Sequence, residues 1–451
     1  MFRTFGTFGM SGTSMPAGVG PADLPQGGAM SNALRGVRVL EDPVAARRAD
    51  PDLLSLALMD ARNRTLRWLS VFETSGAWAP GPDADTGYPI RPWRCIGRAG
   101  WFQEHWIARH VQRHRGEAAD PAAPRLPSID PMADRWFGPA EAAASGPSAS
   151  RVRRDTAVPD LAEVRRYLAD TLETTLELLS TSAGDDASLH FFRLALMHED
   201  RLSERLAEAA QWLGVTVRDD DPAPAGPPAR MQRDPLQVGA GPVRLGASAD
   251  EGLVPPSERW AHSVDVPAFE VDAQPVCWAR YSEFVEDGGY DEARWWTASG
   301  WAWVQARGRR VPRGTEQMRG AVIAQRRGQM RRLPATQTAA HLTLHEAEAW
   351  CRWAGRRLPT EAEWARARAT AVHRGWVWGD VWEWMLDGPR AYPGGQGVRV
   401  AGYSTVAPPR GWGLLRGASA CTLPRAAHPA VRRAAAPDRD DLFCGFRSCA
   451  L

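Results

Sequence analysis

The 451-residue chain contains no lysine, so arginine supplies all 55 of its basic residues. Together with abundant Ala, Gly and Pro, this is typical of the coding bias of a GC-rich genome and does not indicate a phosphate-binding surface. The formal net charge is only +2 and the basic residues do not concentrate in one segment, so no nucleic-acid partner is expected. No stretch approaches the roughly 18 consecutive apolar residues of a membrane span, so no membrane partner is expected either.

The sequence also lacks the pattern of an export signal and the cysteine patterns of a zinc site or a disulfide framework. The N-terminus carries Arg3 but lacks the continuous apolar segment of a signal peptide. The six cysteines are spread over more than 350 positions without a CxxC pair, which argues against a zinc ribbon or a disulfide framework. We therefore expect free thiols and a cytoplasmic protein.

The length and the changes in composition predict more than one domain. Residues 1–35 are rich in Gly and poor in β-branched and aromatic residues, which predicts a disordered N-terminus. Helical patterns fill 36–218. The segment 219–234 begins with an acidic and then Pro/Gly-rich run, DDDPAPAGPP, which is typical of a linker. A second domain is expected over 235–451.

Hydrophobic periodicity predicts four helices in the first domain. They are expected over 51–72, 100–115, 160–180 and 187–213, with leucines at helical spacing in the first and third. Four helices with long connections predict an antiparallel bundle, in which inward side chains of facing helices can build a metal site.

The second domain changes to short strands, turns and many tryptophans, with one clear helix over 345–354, which predicts an α+β fold. Thr360 followed by acidic residues predicts a helix N-cap. Four motifs follow in order: RRLPTEAEW (356–364), GDVWEW (379–384), LRGAS (415–419) and GFRSC (445–449). With VPAFEVDAQPVCWARYSEFVEDGGY before them, they resemble the formylglycine-generating-enzyme fold, also called the sulfatase-modifying-factor domain.

Two segments of the first domain extend the resemblance. GWFQEHWIARHVQRHRGE is similar to a helix that reads approximately LGHxxWFQE, and LALMHEDRLSERL to one that reads HExxH, in ergothioneine-type sulfoxide synthases and selenoneine synthases. Those families fuse a four-helix DinB-like domain to the formylglycine-generating-enzyme fold. The WFQE sequence and the C-terminal DRDDLFCGFRSCAL most resemble selenoneine synthase. The resemblance therefore implies an N-terminal all-α DinB-like bundle followed by an α+β formylglycine-generating-enzyme-like domain.

The resemblance also implies an activity. These enzymes use non-heme Fe(II) and dioxygen to join sulfur or selenium to the imidazole carbon of hercynine, the trimethylated histidine betaine. The implied small-molecule partners are hercynine, a selenosugar or thiol, and dioxygen. Three neutral imidazoles on one face of the iron leave open positions for oxygen and the chalcogen.

Only one of the three implied iron ligands is present. His198 matches the first histidine of HExxH, but the second falls on Leu202 and the third falls on Arg98. Leucine has no lone pair and arginine stays cationic, so neither can bind a metal. His105 lies about 10 Å further along its helix than Arg98. Glu104, beside it, and Glu199 and Asp200, beside His198, are candidate oxygen ligands.

Two hypotheses follow for the function. The first is a selenoneine-synthase-like enzyme that forms a C–Se or C–S bond on hercynine. The second is a metal-free pseudoenzyme that retains a pocket for hercynine or another betaine. Trp382 and Trp384 are candidates for substrate binding through cation–π contact, although their pattern, like that of Trp364, is more typical of core residues.

Other histidines and one arginine have simpler interpretations. His110 and His114 are expected to be exposed, and His345 either caps a helix or lines the pocket. Arg98 has a structural alternative, an ion pair with Glu199 or Glu104 in place of the iron.

Formylglycine-generating enzymes themselves use a cysteine pair that holds copper. Here Cys421 falls one residue out of register with the first position, and the second falls on Ala427 or a neighbouring residue that is not cysteine. That chemistry is not expected.

Overall fold

The computed structural model describes residues 40–78, 91–138, 158–216, 222–224, 226–395 and 408–451. The N-terminal segment 1–35, for which we predict disorder, lies outside these residues. From Val39 to Leu451 the chain forms one compact unit. Helices dominate its first part and short strands its second, and we call them the helical part and the sheet part.

The α-helices of the described residues are α1 (Pro43–Arg47), α2 (Pro51–Thr74), α3 (Pro92–Gln103), α4 (Ala133–Phe137), α5 (Leu161–Ser180), α6 (Asp186–Trp212), α7 (Trp278–Glu286), α8 (Ala298–Arg307), α9 (Leu344–Trp353) and α10 (Glu361–Ala371). The helices expected over 51–72, 160–180, 187–213 and 345–354 are confirmed within two residues at each end. Among the described helices, none is long and apolar enough to cross a membrane.

The long helices begin where their capping residues predict. Asp50 caps α2 and accepts a hydrogen bond from the backbone of Leu53, with Pro51 at the first helical position. Asp160 and Glu163 form a capping box at the start of α5. The helices α2, α3, α5 and α6 pack on one another around a common hydrophobic core.

The boundaries predicted for the second helix are wrong. This helix, α3, begins at Pro92, eight residues before the expected start, because proline suits the first helical position. Two glycines inside α3 obscure its hydrophobic pattern. A Cβ on Gly97 would lie 2.1 Å from the ring of Phe137, so glycine is required where α4 approaches α3.

The chain leaves the α-helical path directly after α3. The residues Glu104–Ala108 form a π-helical turn, so regular helix does not continue to 115. The expectation that His110 is exposed is wrong, because its ring is fully buried between Trp106 and Phe191, with both pairs of ring centroids 5.5 Å apart. His114 is exposed, as expected.

The sheet part contains short strands: β1 (Leu236–Val238), β2 (Gly241–Leu245), β3 (His262–Val266), β4 (Phe269–Val271), β5 (Thr315–Gln317), β6 (Val322–Arg326), β7 (Gln329–Leu333), β8 (Arg356–Arg357), β9 (Trp382–Trp384), β10 (Gly413–Gly417), β11 (Arg432–Ala435), β12 (Cys444–Gly445) and β13 (Cys449–Ala450). They form sheets of order β1-β4-β13-β8, β11-β10-β9-β12, β5-β6-β7 and β2-β3. All pairs are antiparallel except β9 with β12.

The motifs noted in the sequence build the core of the sheet part. Thr360 caps α10 in a capping box with Glu363, as predicted. Trp364 and Trp384 are fully buried, and the Trp364 indole donates to Glu383 at 3.1 Å. The guanidinium of Arg447, also fully buried, binds both oxygens of Glu383. All six cysteines of the chain are free and buried, which confirms the expected free thiols.

The helix α6 connects the two parts. Its carboxylates receive hydrogen bonds from the sheet part, including those of Arg425 to Asp200 and Arg433 to Glu208. The segment before β1 is also held, since Arg230 binds Asp380 at 2.6 Å. The inner side of α6 therefore faces the other helices, whereas its outer side faces the sheet part.

Candidate functional site

The position implied for the iron centre lies where α3 faces α6. The ring of His198 on α6 stacks on Phe102 of α3, with centroids 4.1 Å apart. Its Nε2 atom is buried and has no hydrogen-bond partner. Burial and, after it, the guanidinium of Arg98 hold the pKa of His198 well below its usual value. His198 is therefore neutral, which is the form of histidine that binds metals.

The other two implied ligand positions offer nothing to a metal. The apolar side chain of Leu202 is buried one turn after His198. Arg98 donates from Nη1 to the carbonyl of Phe137 at 3.1 Å, and its guanidinium lies 5.4 Å from the centre of the Trp101 ring. The only metal ligand among the three positions is thus His198.

The carboxylate nearest in sequence, Glu199, is bound by three other side chains. Arg62 donates from Nε to Oε1 at 2.9 Å, Thr65 donates to the same oxygen at 2.7 Å, and Gln103 donates to Oε2 at 3.0 Å. The ion pair that the sequence left open between Arg98 and Glu199 is replaced by one between Arg62 and Glu199. Its oxygens are thus bound by side chains of α2 and α3.

Glu104 and His105 do not complete a metal site either. Glu104 accepts hydrogen bonds from the Tyr167 hydroxyl at 2.6 Å and from Ser128 at 2.8 Å. The His105 ring stacks on Trp101 at a centroid distance of 4.4 Å. Burial, and after it nearby arginines, lower the pKa of His105 to about 3.

The residues present therefore do not fit the three-histidine iron centre that the resemblance implies. Among the residues that the structure describes, no three His, Cys, Asp or Glu side chains come together in a group able to hold a metal ion. A single imidazole with a guanidinium and an isobutyl group at the remaining positions supplies one ligand where three are needed.

The outer side of α6 borders a cavity of about 290 Å³ between the helical part and the sheet part. Its walls come from α1, α6, β9, β11 and the loops around 253 and 425. The polar and aromatic residues that line it are Arg47, Arg193, Asp200, Arg201, Glu204, Arg205, Ser257, Trp382, Thr422, Arg425, Arg432 and Arg433. The wall is therefore rich in arginine and contains only two carboxylates.

Ion pairs fix several of these arginines. Arg425 binds both oxygens of Asp200 at 2.8 Å each, and Arg433 binds those of Glu208 at 2.9 and 3.2 Å. Such two-point pairs hold the planar guanidinium in one orientation. They stabilise the contact of α6 with the sheet part and leave little of these charges for a ligand.

Glu204 differs from its neighbours on the same side of α6. Its Oε1 atom accepts hydrogen bonds from the Trp382 indole at 2.7 Å, Ser419 at 2.5 Å and Thr422 at 2.7 Å. These three donors are neutral, and among the described residues no arginine donates a hydrogen bond to Glu204. Its side chain is nearly buried, with 7% exposed.

Two arginines of α6 carry the opposite charge on the same cavity. Arg201 and Arg205 are one turn apart, line the cavity and are exposed. Arg201 lies 3.6 Å from Glu258, and among the described residues no carboxylate pairs with Arg205. The cavity thus combines a fixed carboxylate with two accessible guanidinium groups.

The two candidate tryptophans occupy different places. Trp382 lines the cavity at 4% exposure and also holds Glu204. Trp384 is fully buried and donates to the carbonyl of Leu342 at 2.8 Å. His345 caps no helix, because Thr343 is the N-cap of α9.

Sequence reasoning missed Glu204, Arg201 and Arg205. A signal for them existed, because acidic residues recur at 200, 204 and 208 and arginines at 201 and 205, each at the four-residue spacing of one helix face. The pattern alone did not show that a cavity lies against that face.

Comparisons with known proteins define the class first. The model of the sulfatase-modifying factor enzyme 1-like domain matches residues 222–380. The formylglycine-generating enzyme of Streptomyces coelicolor is 30% identical over 172 residues, which cover 36% of this chain and 54% of that protein. The sheet part is thus a sulfatase-modifying-factor-like domain.

Longer relatives cover both parts. The hercynine oxygenase of Mycolicibacterium smegmatis is 30% identical over 409 residues, or 78% of this chain and 89% of that protein. That of Mycobacterium tuberculosis is 29% identical over 448 residues, or 88% of this chain and 98% of that protein. The chain belongs to the hercynine oxygenase family, the ergothioneine-type sulfoxide synthases with a formylglycine-generating-enzyme-like domain.

Proposed function

We propose that the chain is a hercynine-binding member of this family that works without the three-histidine iron centre. The observation that carries the proposal is the ligand set, in which His198 is accompanied by Arg98 and Leu202. The relatives named hercynine oxygenase, aligned over both parts of the chain, support hercynine as the ligand. The cavity beside α6 is the site we assign to it.

The cavity suits a betaine in size and offers groups of both charge signs. Its volume of about 290 Å³ is near the lower limit of typical small-molecule pockets. Trp382 and the charged residues of α6 line it, which supports Trp382 as a substrate-binding residue. Trp384 would act indirectly, by packing behind this wall.

The domain organisation remains part of the proposal. The mutual packing of α2, α3, α5 and α6 supports a DinB-like four-helix bundle over 36–218. We propose the linker at 219–234 and the second domain at 235–451, with cytoplasmic location supported by the free cysteines.

A second candidate is the family-like reaction, oxygen-dependent formation of a C–Se or C–S bond on hercynine at Fe(II). One observation favours it, the neutral His198 ring whose buried Nε2 is unbonded. The similarity of 101–104 and of the C-terminus to selenoneine synthase would then support a selenosugar as donor. This candidate requires iron ligands that the described residues do not provide.

Calorimetry separates the two candidates. We expect metal-free protein, treated with chelator and desalted, to bind hercynine in a one-to-one complex. After anaerobic incubation with Fe(II) and desalting, we expect no retained iron. One iron retained per chain, with hercynine binding only in its presence, would contradict the proposal and favour the enzyme.

A gain-of-ligand variant tests the assignment of the three positions. We expect the double variant Arg98→His/Leu202→His to retain Fe(II), because it restores three imidazoles where α3 faces α6. The matched control, Arg98→Phe/Leu202→Phe, introduces rings of similar size without a metal ligand and should retain none. Equal iron contents in both variants would show that these positions do not form the site.

A further inference from the structure

Glu204 differs in its hydrogen bonding from the two other carboxylates on its side of α6. Asp200, Glu204 and Glu208 lie on successive turns of the same side of α6. The outer two each give both oxygens to one arginine, Arg425 or Arg433. Glu204 instead receives all of its hydrogen bonds from described residues on Oε1, so its Oε2 is left without a donor.

Such a carboxylate calls for a cation from outside the protein. A buried charge is costly unless it is paired, and neutral donors compensate it only in part. The donors Trp382, Ser419 and Thr422 fix Glu204 in one position before any ligand arrives. Glu204 is therefore a preorganised negative charge that a positively charged group can approach at the wall of the cavity.

The opposite charge is available on the same helix. Arg201 and Arg205 line the cavity. Unlike Arg425 and Arg433, neither forms a two-point ion pair with a carboxylate of the described residues. Guanidinium groups bind carboxylates and other planar anions in two-point geometry. One wall of the cavity thus presents an anion and two cations within about one turn of helix.

We propose that the cavity selects a zwitterion of amino-acid size, with its ammonium group against Glu204 and its carboxylate on Arg201 and Arg205. This inference deepens the proposed function, on which it rests, because hercynine carries both a quaternary ammonium and a carboxylate. It makes Glu204 and Arg205 the residues that determine specificity. The placement also explains why the hydrogen-bond donors of Glu204 are neutral, since an arginine donor would compete with the ligand.

The test pairs trimmed ligands with trimmed side chains. The ligands are hercynine, imidazolepropionate, which lacks the ammonium, and trimethylhistamine, which lacks the carboxylate. The variants are Glu204→Gln, which keeps an acceptor for its three donors, and Arg205→Gln. Calorimetry gives the affinity of each variant for each ligand, and these affinities form double-mutant cycles. A side chain that binds a given ligand group should lower the affinity only for ligands that carry that group.

We expect Glu204→Gln to weaken hercynine at least tenfold but to leave imidazolepropionate within about threefold. Arg205→Gln should weaken hercynine to a similar degree and leave trimethylhistamine unchanged. Glu204→Asp keeps the charge and should bind hercynine better than Glu204→Gln does. The controls Glu177→Gln and Arg166→Gln change exposed charges of α5 and should affect no ligand.

Equal losses of affinity for all three ligands, in variants with wild-type melting temperatures, would overturn the placement of the two ligand groups. They would not contradict the proposal that the wild-type protein binds hercynine. Failure of the wild-type protein to bind hercynine would overturn the proposed function. In that case histidine and glycine betaine serve as probes, and their binding with the same pattern of losses would sustain the inference. Binding of none of these zwitterions would overturn it.

Discussion

The helical part and the sheet part each enclose a buried arginine–glutamate pair. In the helical part Arg62 binds both oxygens of Glu199, and in the sheet part Arg447 binds both oxygens of Glu383. All four residues are at most 1% exposed. Further donors complete each cluster, such as the Trp364 indole on Glu383. In both parts the central carboxylate is therefore bound through both of its oxygens.

The two parts each bury a histidine with an unbonded Nε2 atom, but in different surroundings. In the sheet part this atom belongs to His341, whose ring lies on Phe443 at a centroid distance of 4.7 Å and whose backbone has φ 67°. In the helical part the Nε2 atom of His198 is unbonded although Glu199 beside it is fully satisfied. The carboxylate beside the implied iron position is therefore fully hydrogen-bonded without a metal, whereas the His198 imidazole is not.

The largest expected effect concerns the scaffold. Arg62→Met should lower the free energy of unfolding by about 3–5 kcal/mol, because it leaves the Glu199 charge buried without its partner. Arg447→Met should cost a similar amount in the sheet part. Urea denaturation measures both, with Arg166→Met on the surface of α5 as a control within about 0.5 kcal/mol. A cost for Arg62→Met below about 1 kcal/mol would mean that water reaches Glu199.

The buried His341 predicts a dependence of stability on pH. Burial, and after it Arg326 and Arg313, lower its pKa to about 3, whereas the unfolded chain binds the proton near pH 6.5. Its contribution is thus complete above pH 6.5 and is lost as the pH falls towards 3, by about 1.4 kcal/mol per unit well below 6.5.

Unfolding free energies between pH 5 and 7 measure this slope. In His341→Asn the slope should fall by the contribution of one proton, since asparagine does not titrate and tolerates the left-handed backbone. His114→Asn, at an exposed position, is the matched control and should keep the wild-type slope. Parallel profiles for all three proteins would mean that His341 titrates normally in the folded state.

Helix caps should contribute equally to the free energy of unfolding in the helical part and in the sheet part. Asp160 caps α5 and Thr360 caps α10, both in capping boxes. Replacing either by alanine should cost about 1 kcal/mol, because one orphan N–H group of the first turn loses its acceptor. Thermal unfolding measures the two variants, and Thr181→Ala beyond the end of α5 is a control. A cost several times larger on one side would show that its cap also holds tertiary contacts.

Much of the fold was accessible from the sequence because the signals were local. Leucine spacing and the Asp50 and Asp160 caps located α2 and α5. The start of α3 could not be predicted, because Gly97 is required for a contact with Phe137, forty residues away. Sequence spacing likewise gave no reason for the burial of His110, which depends on Phe191.

The candidate site also contains residues that the sequence predicts and residues that it does not. Arg98, Leu202 and His198 were found by comparison of motifs, and they lie on α3 and α6, two helices that pack on each other. The special state of Glu204 was not predictable, because its donors Trp382 and Ser419 lie 178 and 215 residues further along the chain. Only the packing of α6 on the sheet part brings them together.

The smallest expected effect falls on His198 itself. An unbonded buried nitrogen offsets part of what the ring contributes by packing on Phe102, so His198→Phe should change the free energy of unfolding by less than about 1 kcal/mol. The stacked position against Phe102 accepts a benzene ring of similar shape. Phe102→Ala, which removes packing instead of polarity, should cost about 3–5 kcal/mol and serves as the contrast.

His198→Phe also tests whether His198 binds a metal ion in the working protein. If His198 held a metal in the working protein, His198→Phe would abolish iron retention and lower the melting temperature measured in the presence of Fe(II). In the iron-free protein we expect identical melting temperatures with and without Fe(II), for wild type and variant alike. A metal-dependent difference confined to the wild type would mean that the isolated imidazole recruits ligands that the described arrangement keeps apart.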